Sequence, residues 1–304
     1  KLADDVEALV EARIGEPWQR PTGAAVGRVI SDDQLVNKYI EHLLSTIDVS
    51  LSGLKVVVDC ANGASSFTAP VALSRAGAEV IAIANTPDGW NINDGVGSTH
   101  LDFLRNAVLK NGANVGIAHD GDADRCLAID ATGAEIDGDV IMTILAKGFK
   151  AQGKLKANTI VGTVMSNLGF MHAMAESGIE VVTTAVGDRY VLEAMLKSDF
   201  NLGGEQSGHV IMRDHANTGD GLLTALQLLA EVKRSGQTLH ELSRVMVRFP
   251  QVLINVKNVA KERLASSTAI ADAVKAAEAE LGSSGRVLLR ASGTEPLVRV
   301  MVEA

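Results

Sequence analysis

Between Lys55 and Lys197 the chain repeats one alternation: a short run of aliphatic residues, a turn, then a stretch with helical spacing. Lys55-Val56-Val57-Val58-Asp59 reads as a buried strand, Asn62-Gly63 as a turn, Phe67 to Ala76 as a helix and Glu79 to Ala84 as the next strand. A turn at Pro87-Asp88-Gly89, a helix from about Ser98 to Lys110 and a strand at Val115 to Ala118 follow. The same order returns: strand Thr159 to Thr163, helix Leu168 to Ser177 capped by Asn167, strand Glu180 to Thr184, helix Tyr190 to Lys197. Strands that alternate with helices build parallel or mixed sheets with helices on their faces. The class is therefore α/β, with units near 53–152 and 153–236 forming an internal structural repeat. After Phe249-Pro250 the pattern changes to a strand at Val252–Lys257, a helix over about Ser266–Leu281 and two strands around a loop, a separate small α+β unit. Residues 1–52 show helical spacing from Leu2 to Ile14 and again after Ser31-Asp32-Asp33-Gln34, with no evident chemistry.

The strand at Val115–Ala118 runs into His119-Asp120-Gly121-Asp122-Ala123-Asp124-Arg125. In extended backbone, residues two apart face one side, so Asp120, Asp122 and Asp124 are expected to converge on one point. Three carboxylates in one site repel unless a cation neutralises them, and hard oxygen ligands suit Mg²⁺. An EF-hand requires glycine at its sixth position and glutamate at its twelfth. Counted from Asp120, those positions hold Arg125 and Ala131, so that motif fails. An aspartyl-phosphatase loop, with Asp120 as nucleophile, is weakened because Asp124 stands where that loop carries Thr or Val.

Two further loops carry chemistry. Gly203-Gly204-Glu205-Gln206-Ser207-Gly208-His209 offers carboxylate, hydroxyl and imidazole groups to a polyhydroxylated ligand. As a plain structural feature it is a hairpin between Leu202 and Val210. Gly187-Asp188-Arg189 reads equally as a strand-to-helix turn with a capping aspartate. In Arg290-Ala291-Ser292-Gly293-Thr294-Glu295-Pro296-Leu297-Val298-Arg299, glycine and small hydroxyl residues let backbone N–H groups approach an anion, and Arg290 and Arg299 add positive charge. This is a phosphate cradle without the P-loop signature, or else a tight turn between strands.

Composition narrows the partners. The net charge of −9 argues against non-specific nucleic-acid binding. No apolar run is long enough for a membrane span, and no signal-peptide pattern opens the chain. Cys60 and Cys126 are the only cysteines and read as buried free thiols in a reducing compartment, the cytoplasm. Lys1 and Glu303-Ala304 read as cuts through a longer protein.

In this order, DGDADR, GEQSGH and RASGTEPLVRV resemble the α-D-phosphohexomutase superfamily. VVVDCANGA, TPDGWNINDGVGSTH, AVGDRYVLEAM and FPQVLINV look most similar to the bacterial phosphoglucosamine mutases within it. The resemblance covers essentially the whole chain. Ala123 departs from a frequent glycine, Gln206 lies at a variable position, and Ala291 stands where a basic or polar residue is common. The resemblance implies repeated α/β domains with mixed sheets over 53–152 (domain 2, metal loop) and 153–250 (domain 3, sugar loop). A truncated α+β domain 4 with the phosphate loop follows over 251–304, and 1–52 is a remnant of domain 1 and a connector. It implies Mg²⁺ on Asp120, Asp122 and Asp124, with Arg125 steadying the transferred phosphoryl group. Glu205, Ser207, His209, Asp188 and Arg189 are implied at the sugar. Arg290, Ser292, Gly293, Thr294 and Arg299 are implied at the non-reacting phosphate. The implied activity interconverts glucosamine 6-phosphate and glucosamine 1-phosphate through a phosphoserine enzyme and a 1,6-bisphosphate, in amino-sugar and peptidoglycan precursor synthesis. Phosphomannomutase or phosphoglucomutase activity uses the same loops. The family's TASHNP-like phosphoserine segment is not in these residues, so this chain alone also fits a non-catalytic sugar-phosphate binding module. The implied partner is a hexosamine phosphate, not nucleic acid or membrane, with a homodimer allowed for the full-length protein.

Overall fold

The computed structural model describes residues 4–30, 32–260, 264, 266–291 and 297–304. An exposed helix, α1 (Asp4–Ile14), precedes α2 (Asp33–Ser45), which begins where the Asp32 carboxylate accepts the Gln34 N–H. The first sheet is built from β1 (Lys55–Asp59), α3 (Ser65–Arg75), β2 (Glu79–Ile83), α4 (Leu101–Asn111), β3 (Val115–Ala118), β4 (Leu127–Asp130) and β5 (Glu135–Ile136). Its strand order is β2-β1-β3-β4-β5, parallel through β3 and antiparallel beyond. Next come α5 (Gly138–Ala151), β6 (Thr159–Thr163), α6 (Leu168–Glu176), β7 (Glu180–Thr184), α7 (Asp188–Ser198), β8 (Leu202–Gly204) and β9 (Val210–Met212). This sheet has the order β7-β6-β8-β9, again parallel with an antiparallel last strand. The two sheets thus share one topology, and the expected repeat is present.

Packing moves the expected unit boundaries. Helix α2 lies on α3 before β1 just as α5 lies on α6 before β6, and both also touch α8 (Gly221–Ser235). The first repeat therefore includes α2, which falls within the expected connector 1–52. Helix α5, expected in the unit 53–152, belongs with the second repeat. Ile40 and Leu43 of α2 are buried in the main core beside Val56, Ile141, Leu145, Phe170 and Leu226. The first twelve residues of α8 are all buried, mostly apolar but with Thr224, Gln227 and Glu231 among them. Smaller clusters lie under α4 (Leu104, Val108) and α7 (Val191, Met195) on the opposite sheet faces.

A short helix, α9 (Leu239–Ser243), opens on a capping box formed by Thr238 and Glu241. The C-terminal unit comprises β10 (Gln251–Lys257), α10 (Thr268–Leu281), β11 (Arg286–Ala291) and β12 (Leu297–Glu303), in the antiparallel order β10-β12-β11. Fully buried Glu303 joins it to the second repeat. Its carboxylate accepts from Asn167 Nδ2 (3.1 Å), Leu168 N (3.2 Å) and Arg286 Nε (2.7 Å).

Candidate active site

The repeat places two loops at equivalent positions: residues 119–126 join β3 to β4, and 205–209 join β8 to β9. They meet at the front of the sheets. Arg125 and His209 form an antiparallel bridge, and Cys126 N–H donates to the Gly208 carbonyl at 3.0 Å.

The aspartates converge as expected, but by a different geometry. One carboxylate oxygen from each of Asp120, Asp122 and Asp124 lies within 4.8 Å of the others. The backbone is a turn rather than an extended run: Ala123 N–H donates to the Asp120 carbonyl at 3.1 Å, and Ala123 has φ +61°. A left-handed backbone suits glycine, so the alanine carries a strain of about 1 kcal/mol. Asp120 is buried, Asp124 half-buried and Asp122 exposed. Burial, followed by the hydrogen bond and charge of Asp124, pushes the Asp120 pKa up. Arg125 Nε stands 3.8 Å from Asp120 and 3.9 Å from Asp124, and the Arg125 N–H donates to Asp120 Oδ1 at 3.1 Å. One guanidinium cannot balance three carboxylates. The donor set is all oxygen and in excess of negative charge, which fits a hard divalent cation.

Two buried histidines flank this loop. His119 Nδ1 lies 3.0 Å from the Arg125 carbonyl, and burial pushes its pKa down. His209 Nδ1 lies 3.0 Å from Asp124 Oδ2, while its Nε2 accepts the Gly219 N–H at 3.1 Å. The family resemblance implies His209 at the sugar. Here both ring nitrogens are engaged inside the protein, so His209 orients Asp124 and presents no free nitrogen to a ligand.

Glu205 and Ser207 open on a cavity of about 380 Å³, shared with Asp137, Thr163, Met165 and Arg248. Glu205 Oε1 accepts the Gly187 N–H at 2.9 Å, and Ser207 Oγ lies 3.4 Å from Glu205 Oε2. Asp188 and Arg189 belong to the first turn of α7, where Gly187, not Asp188, is the capping residue. They line a second cavity with Asn217 and Thr218 rather than the one beside Glu205. Asp137 and Arg248 lie 3.4 Å apart in the lining of the cavity beside Glu205, and no sequence motif singles them out. Asp137 looks like a plain helix cap, which it is, accepting Val140 N–H at 3.1 Å. Nothing around Arg248 marks it.

In the C-terminal unit, Arg290 and Arg299 are direct cross-strand partners. Like charges directly opposite repel, which favours an anion between or beside them. Ser292, Gly293 and Thr294 lie outside the described residues. Cys60 and Cys126 are free and buried, and burial pushes the Cys60 thiol up to about 12.

Three family models match in sequence: the phosphoglucomutase/phosphomannomutase alpha/beta/alpha domain II over 37–133, domain III over 137–249 and the C-terminal domain over 253–304. The chain is 59% identical over its whole length to the phosphoglucosamine mutase of Streptomyces griseus, covering 68% of that protein. It is 60% identical to that of Thermobifida fusca, with the same coverage. The chain belongs to the phosphoglucosamine mutase family. A phosphoglucomutase/phosphomannomutase family protein from Burkholderia thailandensis shares its fold, with a TM-score of 0.75 at 22% identity, over 89% of this chain and 60% of that one. So does the N-acetylphosphoglucosamine mutase of Aspergillus fumigatus, solved with GlcNAc-6P and magnesium, with a TM-score of 0.71 at 19% identity, over 88% and 61%. For a phosphoglucosamine mutase relative, the domain II and III matches begin at α2 and α5, where the packing also divides the repeats.

Proposed function

We propose that this chain carries the metal, sugar and phosphate loops of a phosphoglucosamine mutase. The enzyme would interconvert glucosamine 6-phosphate and glucosamine 1-phosphate through a phosphoserine and a 1,6-bisphosphate. The observation that carries this reading is the meeting of the aspartate turn with the Glu205–His209 loop at the ends of two equivalent sheets. Asp120, Asp122 and Asp124 are the residues that would hold Mg²⁺. Bound there, Mg²⁺ supplies the positive charge that offsets the oxygens of a transferring phosphoryl group. Arg125 adds a second positive group at the same place. Glu205 and Ser207 offer an acceptor and a donor to sugar hydroxyls. Arg290 and Arg299, with Ser292, Gly293 and Thr294, would take the phosphate that does not react. Magnesium in the Aspergillus fumigatus structure supports the metal, and the curated relatives favour glucosamine phosphate over mannose or glucose phosphate.

Among the described residues no helix is long and apolar enough to cross a membrane. The buried free thiols fit a reducing cytoplasm.

The test is a coupled assay of the protein that bears this chain, with glucosamine, mannose and glucose 6-phosphates in competition. Mg²⁺-dependent formation of glucosamine 1-phosphate with the highest kcat/KM supports the reading. A preference for either other sugar would replace it. Steady release of inorganic phosphate, with phosphate trapped on Asp120, would make the protein a phosphatase instead.

A further inference from the structure

We infer that His119 is a positioning residue of the metal loop: its imidazole closes the loop from Asp120 to Arg125 and holds the carboxylates in cation-binding register. This rests on the metal reading of Asp120, Asp122 and Asp124.

The backbone of His119 is fixed before the loop begins. Its N–H donates to the Asp59 carbonyl at 3.0 Å, and its own carbonyl accepts the Ser98 N–H at 2.8 Å. From this anchored point the ring reaches across the loop to the Arg125 carbonyl, 3.0 Å from Nδ1. A carbonyl only accepts, so Nδ1 carries the proton and Nε2 the lone pair. The bond ties the residue before the first aspartate to the residue after the last.

The closure is sealed from the second repeat. A Cβ on Gly221, the first residue of α8, would lie 2.1 Å from the Arg125 carbonyl oxygen and 2.7 Å from His119 Nδ1. Glycine there lets α8 sit directly over the bond and keep water out, and a hydrogen bond in such a low-dielectric place is strengthened.

His119 Nε2 is buried with no hydrogen-bond partner among the described residues. A buried bare polar atom costs free energy, and a phenyl ring would fill the same space without that cost. An imidazole is worth keeping here for the one donor it places on the Arg125 carbonyl. Because Asp120 follows directly, loss of that donor loosens Asp120 and the Arg125 N–H that holds its carboxylate.

The test uses Mn²⁺ as a spectroscopic probe of the divalent site, with the whole chain as wild type, His119→Phe and His119→Asn. Phe fills the ring volume without a donor, while Asn can present an amide N–H near the Nδ1 position. We expect His119→Phe to weaken Mn²⁺ binding about tenfold, the scale of one lost net hydrogen bond, and to broaden the electron paramagnetic resonance spectrum of the bound ion. His119→Asn should recover binding to within about threefold of wild type. ¹⁵N spectra of the wild type should show the Nδ1-protonated tautomer, with a resonance that shifts on adding Mg²⁺. An unchanged Mn²⁺ affinity and spectrum in His119→Phe would overturn the inference, as would an Nε2-protonated tautomer. Should His119→Phe not fold, the tautomer and the Asn variant decide. Wild-type chain that takes up no Mn²⁺ would overturn the metal reading as well, whereas normal uptake by both proteins would overturn this inference alone.

Discussion

At the scale of single residues, the site is a set of opposed charges held short of balance. Asp120 shows it best: burial and Asp124 raise its pKa, so its ionised form costs folding free energy until a cation arrives. Asp120→Asn removes that charge and can still accept the Arg125 N–H through its amide oxygen. We therefore expect Asp120→Asn to melt at a higher temperature than wild type in EDTA, and to lose the rise in Tm that Mg²⁺ gives the wild type. Differential scanning fluorimetry with and without Mg²⁺ reads both effects. An undiminished Mg²⁺ response in the variant would remove Asp120 from the ligand set. Ala123 belongs to the same scale: its left-handed backbone is one that glycine adopts without strain.

At the scale of elements, helix starts shape the site. Gly138 opens α5, and a Cβ there would lie 2.2 Å from the Glu205 carbonyl oxygen and 2.7 Å from the Gly208 nitrogen. Gly138→Ala must push the Glu205–Gly208 backbone away, at about 1–3 kcal/mol of stability. Calorimetric titration with glucosamine 6-phosphate should show weakened binding, and binding as tight as wild type would mean that the loop does not grip the sugar. Asp220 starts α8, accepting Leu223 N–H at 2.9 Å and the Tyr39 hydroxyl at 3.0 Å. Asp220→Ala loses both a helix cap and the tie to α2, about 1–2 kcal/mol in a urea unfolding curve; Tyr39→Phe should lose less. Much of this level was legible in the sequence. Strands β1, β3, β6 and β7 announce themselves as aliphatic runs, and Asn167 caps the helix it was expected to cap. Helices α5 and α8 did not, although each has apolar residues at helical spacing: a glycine opens each, and buried polar residues such as Asp139, Gln227 and Glu231 interrupt what would otherwise read as core. The link from His209 to Asp124 crosses 85 residues, and no local pattern encodes it.

At the scale of the whole molecule, the duplicated sheet explains why the aspartate loop and the Glu205–His209 loop meet: each is the turn into the antiparallel strand of its own repeat. The C-terminal sheet is then hung on the second repeat through a buried polar junction around Asn167. There Glu303 accepts from Asn167 Nδ2, and Asp139 Oδ2 accepts the Asn167 N–H at 2.7 Å. Burial above all, then the charges of Asp137 and Glu303, pushes the Asp139 pKa from 3.8 up to about 7, against the hydrogen bond from the Asn167 N–H. A raised carboxyl pKa means that the folded state binds a proton the unfolded state has released. Its contribution to stability is full below the unfolded value, is lost as pH rises, and is gone above the folded value. Asp59 and Asp120 shift in the same sense, while the lowered pKa values of His119 and His215 act oppositely as pH falls through 6.5. The informative quantity is therefore the difference between wild type and Asp139→Asn, an uncharged isostere that keeps an acceptor for Asn167. Urea midpoints measured from pH 4.5 to 8.5 should show the variant gaining on wild type steadily up to about pH 7 and then holding a constant lead. A difference independent of pH across that range would show that Asp139 is ionised in the folded protein, with its charge met at the junction.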